Sequence, residues 1–189
     1  NTEGDEIGYG GVLPLTNGNY VILSPSWDNG GIQNAGAATW CPGHSMLVDV
    51  VSISNSLVGD KDYEQTGGGA YRLGDNLYAI ISGYRDANAQ LLGAITWCNA
   101  ATGRKGSVSV SNSLVGRNNG DFNSRSVYGL SNGNFIFSFP DFDNGSALNA
   151  GAVMIINPSN PLIGSPDSSN SFMGGTYNDQ IGGSWTSST

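Results

Sequence analysis

Charge is scarce in this chain. Asp, Glu, Lys and Arg make up 12% of its 189 residues, about half the share of an ordinary globular domain. A surface short of charge has to be built from Ser, Asn, Thr and Gly, as is common outside the cell, and an extracellular setting is the expectation here. Basic residues are scarcest: 7 Lys and Arg stand against 15 Asp and Glu, for a net charge of −8. Without a basic cluster a phosphate backbone finds nothing to bind, which excludes nucleic acid as a partner. No apolar run approaches the ~20 residues of a membrane-spanning helix, and no signal-peptide pattern stands at the start, so membrane insertion is not expected. The chain begins at Asn1 rather than Met, as a processed product or a piece of something longer would.

Histidine and cysteine are nearly absent. The one histidine, His44, sits in the loop Pro42-Gly43-His44-Ser45. A histidine-rich metal site is thereby excluded. A Ser-His-Asp triad would have to use His44, and no Gly-x-Ser-x-Gly elbow accompanies it. The two cysteines stand at matching places, Thr39-Trp40-Cys41 and Thr96-Trp97-Cys98. Two readings stay open for them: small buried hydrophobes, or a disulfide, which would need Cα atoms within about 7 Å. Helical periodicity is missing as well. Nowhere do apolar residues recur at i, i+3, i+4 and i+7 over a helical length.

What is present is repetition. Asn55-Ser56-Leu57-Val58-Gly59 returns as Asn112-Ser113-Leu114-Val115-Gly116, and again as Asn170-Ser171-Phe172-Met173-Gly174. A fixed period in this range signals a repeat architecture. The units run over about 5–59, 60–116 and 117–174, with a truncated fourth over 175–189, all in one domain spanning 1–189. Each opens on a lead-in loop, Gly-rich in the first two units (5–11 and 64–69) and worn down in the third (121–126). A leucine and a turn follow, as in Leu15-Thr16-Asn17-Gly18-Asn19, then an apolar run such as Tyr20-Val21-Ile22-Leu23-Ser24. An aspartate then arrives in register (Asp28, Asp86, Asp143). A second apolar run starts on Gly-Ala, and the Asn-Ser-Leu-Val-Gly phrase closes the unit.

These pieces read as strands. Asn-Gly between apolar runs predicts a hairpin with positive φ at both turn residues. The strict alternation of Ser107-Val108-Ser109-Val110-Ser111, echoed by Val51-Ser52-Ile53-Ser54, predicts a half-buried strand. The expectation is an all-β protein of about three four-stranded units, each the size of a β-propeller blade. Three blades do not close a ring, so a closed three-fold form, a β-trefoil or β-prism, is the alternative, with a β-solenoid as a further one.

The aspartates are the candidates for chemistry. Asp28-Asn29-Gly30 and Asp143-Asn144-Gly145 share a pattern, and Asp141 stands two before Asp143. Oxygen donors on a tight loop suit Ca²⁺, which makes Asp28, Asp141 and Asp143 the candidate ligands. The further carboxylates of a full calcium loop are lacking, and Asp-Asn-Gly is first of all a turn signal. An aromatic residue precedes two of the aspartates: Trp27 and Phe142, where the second unit has Arg85. A ring beside a carboxylate and amides is a way to grip a sugar. Trp27, Asp28, Asn29, Asp86, Phe142, Asp143 and Asn144 are therefore the candidate ligand-binding residues, and Trp40 and Trp97, on apolar strands, are read as core.

The phrases Leu15 to Val21, Ser24-Pro25-Ser26-Trp27-Asp28-Asn29-Gly30, Ala35 to Trp40 and Asn55 to Gly59 together resemble a bacterial repeat of uncharacterised function. That repeat occurs in tandem in filamentous-haemagglutinin-like and autotransporter-like secreted surface proteins. The resemblance covers almost the whole chain and implies a secreted or cell-surface location. It supplies no catalytic residues. The second unit departs most, with Gly83-Tyr84-Arg85-Asp86 in place of Pro-x-Trp-Asp. The order of the pieces is more loosely similar to FG-GAP blades of integrin-type propellers, an analogy of fold alone.

The expected function is that of a non-enzymatic structural or adhesive module. It would present repeated loops to carbohydrate or a surface protein, and associate with itself or with further repeats. A standalone oligomeric lectin is the alternative. A polysaccharide hydrolase fits less well, because an enzyme needs one asymmetric site and no singular polar cluster marks one unit. No cofactor is expected beyond the calcium considered above.

Overall fold

A computed structural model describes residues 4–45 and 47–183, and among them there is no helix. The first unit is a meander of β1 (Gly11–Pro14), β2 (Tyr20–Ser24), β3 (Ala37–Cys41) and β4 (Ser56–Val58). The second comprises β5 (Gly69–Leu73), β6 (Leu77–Ser82), β7 (Ala94–Asn99) and β9 (Ser113–Val115), and the third β10 (Ser126–Gly129), β11 (Phe135–Phe139), β12 (Ala152–Ile156) and β13 (Phe172–Met173). All pairings within these meanders are antiparallel. The remaining strand, β8 (Gly106–Ser107), leaves the second unit and pairs parallel with β4 of the first, making that sheet five-stranded.

The sheets stack face to face in chain order. Because successive side chains point to opposite faces, a strand of the middle unit serves two neighbours. Tyr78 and Ile80 of β6 join a buried cluster with Val21, Leu23 and Leu57 of the first unit. Leu77, Ala79 and Ile81 of the same strand join another with Phe137, Phe139 and Met154 of the third. Both faces of β6 are thus covered and all six residues are buried. No buried cluster joins the first unit to the third among the described residues. The closed three-fold form is therefore corrected: the chain forms three stacked sheets without a closed barrel.

Four residues of the closing phrase, Asn, Ser, Leu and Gly, have separate roles. Asn112 accepts from Ser109 N (3.0 Å) and donates to Ser107 O (2.9 Å), and Asn55 does the same with Ser52 and Val50. These bonds wrap the preceding residues into a turn. The alternating runs at 107–111 and 51–54 are therefore not strands beyond Ser107, a second correction, because the Asn side chain competes with any ladder. Ser56 and Ser113 meet Thr39 and Thr96 of the neighbouring strand at 2.7 Å, both pairs buried. Leu57 and Leu114 fill the joints between units. The glycine is required by close approach: a Cβ on Gly59, Gly116 or Gly174 would overlap the carbonyl of Ala35, Leu92 or Ala150.

The hairpins differ in detail from expectation. Gly18 and Gly133 have positive φ, but Asn17 and Asn132 do not. Gly18 N bonds Leu15 O, and Leu15 N bonds Asn19 O at 2.8 Å. This is a type I turn followed by a left-handed glycine, which needs positive φ at one residue only.

Candidate functional site

The registered aspartates lie on the edge of the stack where the lead-in loops pass from one unit to the next. Here one carboxylate per unit forms a clamp. Asp121 Oδ2 accepts from Arg117 N (2.7 Å) and Asn118 N (2.8 Å), both in the stretch leaving the second unit. Its Oδ1 accepts from Asp143 N (3.0 Å) in the third. Glu64 holds Asp60 N, Lys61 N and Arg85 N in the same way, and Asp5 accepts from Asp28 N. Asp179 repeats the first half, with Gly175 N and Thr176 N. Asp5, Glu64 and Asp121 are buried. A buried carboxylate is costly unless it is hydrogen-bonded, and main-chain N–H donors meet that need here.

The lead-in loop also stitches units through the main chain. Thr66 N bonds Ala35 O behind it, and Gly67 N bonds Ile81 O of its own sheet. Ile181 N likewise bonds Ala150 O.

The candidate residues occupy the same joints. Asp28 Oδ1 accepts from Asn34 N at 2.7 Å, and Asp143 Oδ1 from Asn149 N at 2.8 Å, bracing the loop between the second and third strands. Asn29 and Asn144 donate to Gly59 O and Gly174 O, tying that loop to the close of the unit. Asp86 accepts from Asn88 N and Gln90 N, a purely local turn. Asp141 accepts from Ser124 N. Among the described residues no group of three or more His, Cys, Asp or Glu is placed to hold a metal ion. The candidate oxygens Asp28, Asp141 and Asp143 thus act as braces for main-chain N–H groups.

The aromatic candidates face inward. Trp27 is 4% exposed and packs with Ala37 and Val58, covered by Val51. Phe142 is fully buried against the joint between the second and third units. Neither ring presents a face to solvent on which a sugar could stack. Trp40 and Trp97 also lie in joints, and each reaches into the next unit. Trp40 Nε1 donates to Ala100 O at 3.0 Å, and Trp97 Nε1 to Leu162 O at 2.6 Å. Trp97 further meets Phe137 edge to face at 5.6 Å.

Cys41 and Cys98 are both buried free thiols. Cys41 pairs with Tyr20 in the first sheet and Cys98 with Tyr78 in the second. Residues at equivalent places in stacked sheets are about 10 Å apart, beyond the reach of a disulfide, so the bonded alternative gives way to the buried-hydrophobe reading. Burial pushes the Cys98 thiol up to about 12, and the Cys41 thiol is raised for the same reason.

The clamp carboxylates differ by exposure. Burial pushes Asp121 above the usual carboxylate value, against the pull of its three N–H donors. Exposed Asp179 is held below that value, first by the Thr176 hydroxyl and then by the N–H groups of Thr176 and Gly175.

Several polar clefts lie along this edge. A polar cleft of about 400 Å³ at the joint of the second and third units is lined by Asn119, Gly120, Asn123, Asp141, Asp143, Leu148 and Asn149. It brings two candidate aspartates together with amides and one exposed apolar side chain. The sequence reading did not single out Asn119, Asn123 or Asn149, nor the clamp set Asp5, Glu64, Asp121 and Asp179. The clamp had a legible signal, since an acidic residue recurs there once per period.

A family described as a repeat of unknown function (DUF5650) matches the sequence three times, over residues 14–68, 76–125 and 129–183. No curated protein and no solved structure matches it.

Proposed function

The chain belongs to that repeat family, and from this premise we propose that it is a non-enzymatic structural module of a secreted bacterial surface protein, built to display its loop edge to carbohydrate or to a surface protein. One observation carries the reading: the residues shared between units are spent on bracing each unit and joining it to the next. Trp40 and Trp97 cross the joints, Glu64 and Asp121 each hold the stretch leaving one unit to the loop of the next, and Asn29 and Asn144 tie loops to the closing glycines of their own units. A recurring set of joint residues is what a stacked spacer requires. Catalysis would call instead for one site with an acid and a base held apart from the scaffold, whereas Asp141 and Asp143 both brace main-chain N–H groups. The haemagglutinin-like setting is part of the same proposal and agrees with the low charge of the surface. The sheets are read as blades of an open propeller, similar in order to the FG-GAP type.

Binding is assigned to the polar cleft at the second joint. Its amides and carboxylates suit sugar hydroxyls, and Leu148 supplies the apolar contact that buried Trp27 and Phe142 do not. The test is a glycan panel read by calorimetry, with Asn123→Ala and Leu148→Ala beside the wild type and reducing-end assays for turnover. Saturable binding without turnover, weakened in both variants, supports the reading. Turnover of any polysaccharide would sink the non-enzymatic assignment, and binding that ignores both substitutions would move the site elsewhere.

A further inference from the structure

The two joints inside the chain are built alike: the forward face of one unit meets the rear face of the next. In the second unit the forward face carries Tyr71, Ala79, Ile95, Trp97 and Leu114, all packed in the joint with the third. Strand register places Tyr128, Ile136, Val153, Ile155 and Phe172 at the same five positions of the third unit. That face has no following unit among the described residues, and Ile155 and Phe172 are 63% and 71% exposed. The rear face of the first unit is the other half. Val12, Tyr20, Ile22 and Cys41 hold the places of Ala70, Tyr78, Ile80 and Cys98.

The sheet edges match in the same sense. At the first joint Gly106–Ser107 runs parallel along Leu57 and Val58, and at the second Gly164 bridges to Leu114. No such segment lies along β13 among the described residues. The segment of the first unit equivalent to 106–107 is 49–50, which enters no sheet, and its neighbourhood exposes Val48 (83%) and Val50 (60%).

We propose that the chain associates head to tail: the forward face and β13 edge of the third unit receive the rear face and segment 48–50 of a second copy. The occupant is argued from continuity, because the same contact is made twice within each chain. It is a heterologous contact, which closes a ring if the rotation allows and otherwise grows as an open stack. The inference stands on joint geometry alone, whether or not the loop edge binds a ligand.

The lead-in loops set the manner of docking. Residues 178–183 already sit on the third unit, with Asn178, Gln180 and Ile181 N–H groups bonded to Leu148, Asn149 and Ala150 O. The arriving copy brings its own loop, whose Gly10 N bonds Leu23 O and whose Asp5 holds Asp28 N. One loop serves each internal joint, so one of the two must yield. The seated loop can supply equivalents of both bonds, from Gly182 N and from Asp179, so the arriving loop is released in a one-for-one exchange. Association therefore includes a loop exchange.

The test is the native mass of the full chain by light scattering after long incubation, over roughly a hundredfold range of concentration and at low and high salt. Expected is a mass at multiples of the single chain, rising with concentration and with salt, since salt screens the repulsion between chains of charge −8. Ile155→Asp and Val50→Asp should each remain monomeric. Both side chains are exposed in the single chain, so circular dichroism and melting temperature should not change. An equimolar mixture of the two variants should form dimers and nothing larger, because each contributes one intact surface. A wild type that is monomeric throughout overturns the proposal, even if its face binds some other protein. So does assembly that survives both substitutions, or a mixture that stays monomeric.

Discussion

Replacing Trp97 and Trp40 by phenylalanine, one at a time, separates two joints that look identical in sequence. Trp97 is buried and its Nε1–H is the only donor to Leu162 O among the described residues, at 2.6 Å. Trp97→Phe leaves that carbonyl unsatisfied, worth about 1–3 kcal/mol. It also opens a void of about 40 Å³ beside Phe137, which adds about 1 kcal/mol at the usual cavity cost. Trp40 is only half-buried, and its partner Ala100 O also accepts from Asn17 Nδ2 at 2.9 Å and Asn19 Nδ2 at 3.3 Å. Trp40→Phe therefore leaves a served carbonyl and should cost about 1 kcal/mol or less. The expected difference is about 2 kcal/mol in urea unfolding, and a loss of about 3 kcal/mol should lower the melting temperature by about 6–12 °C in a chain of this size. Unfolding is followed by far-ultraviolet circular dichroism, with the m value checked for loss of two-state behaviour, to which repeat arrays are prone. Equal costs for the two substitutions, or a larger one for Trp40, would refute the reasoning from hydrogen-bond redundancy.

Other consequences follow from the same joints. Gly116→Ala should destabilise by more than about 3 kcal/mol, because its Cβ would meet Leu92 O and lie 2.9 Å from Asp121 Cβ; Gly175→Ala, where nothing is near, should cost far less in the same denaturation assay. A thiol assay should count no reactive cysteine in the native chain at pH 8 and two in denaturant without reductant, and a count of zero in denaturant would restore the disulfide. Asp49, Asp167 and Asp179 are all held below the ordinary carboxylate value of 3.8, Asp49 by Val50 N–H and Asp167 by the Ser169 hydroxyl. A depressed folded-state pKa contributes stability above the unfolded value that is lost as pH falls through the folded one. Melting temperature should therefore decline below about pH 4. Asp121, raised by burial, acts in the opposite sense: protonation favours its folded form as pH falls, so Asp121→Asn should steepen the acid decline, and a shallower decline would contradict the assignment.

The repeat made the number of units and most strands legible, because apolar runs such as 20–24 and 78–82 recur in register. The stacking was not legible in the same way. Whether a residue meets the unit before it or the unit after it depends on strand parity. Parity assigns Trp40 and Trp97 to joints only once the pairing of β2 with β3 and of β6 with β7 is known. The Ser107–Ser111 run misled because an alternating pattern suits a strand or a turn, and the side chain of Asn112 decides for the turn. Trp27 stands among polar neighbours in sequence, yet Val51, from a loop far along the chain, closes over it. Of the candidate aspartates only Asp141 and Asp143 share a cleft, and each of the candidates braces a loop of its own unit. The carboxylates that hold units together, Glu64 and Asp121, were visible as a periodic acid and overlooked beside the Asp-Asn-Gly turns.

The central claim is that the recurring polar residues are joints between stacked sheets. Native-state amide hydrogen exchange tests it most directly, on the N–H groups of Arg85 and Asp143, by which Glu64 and Asp121 fasten the lead-in loops arriving from the first and second joints to the sheets of the second and third units. The account predicts that both are protected nearly as strongly as the core of β6, while Asn88 and Gln90, held only within the local Asp86 turn, exchange far faster. Clamp amides that exchange as fast as those of the Asp86 turn would contradict it.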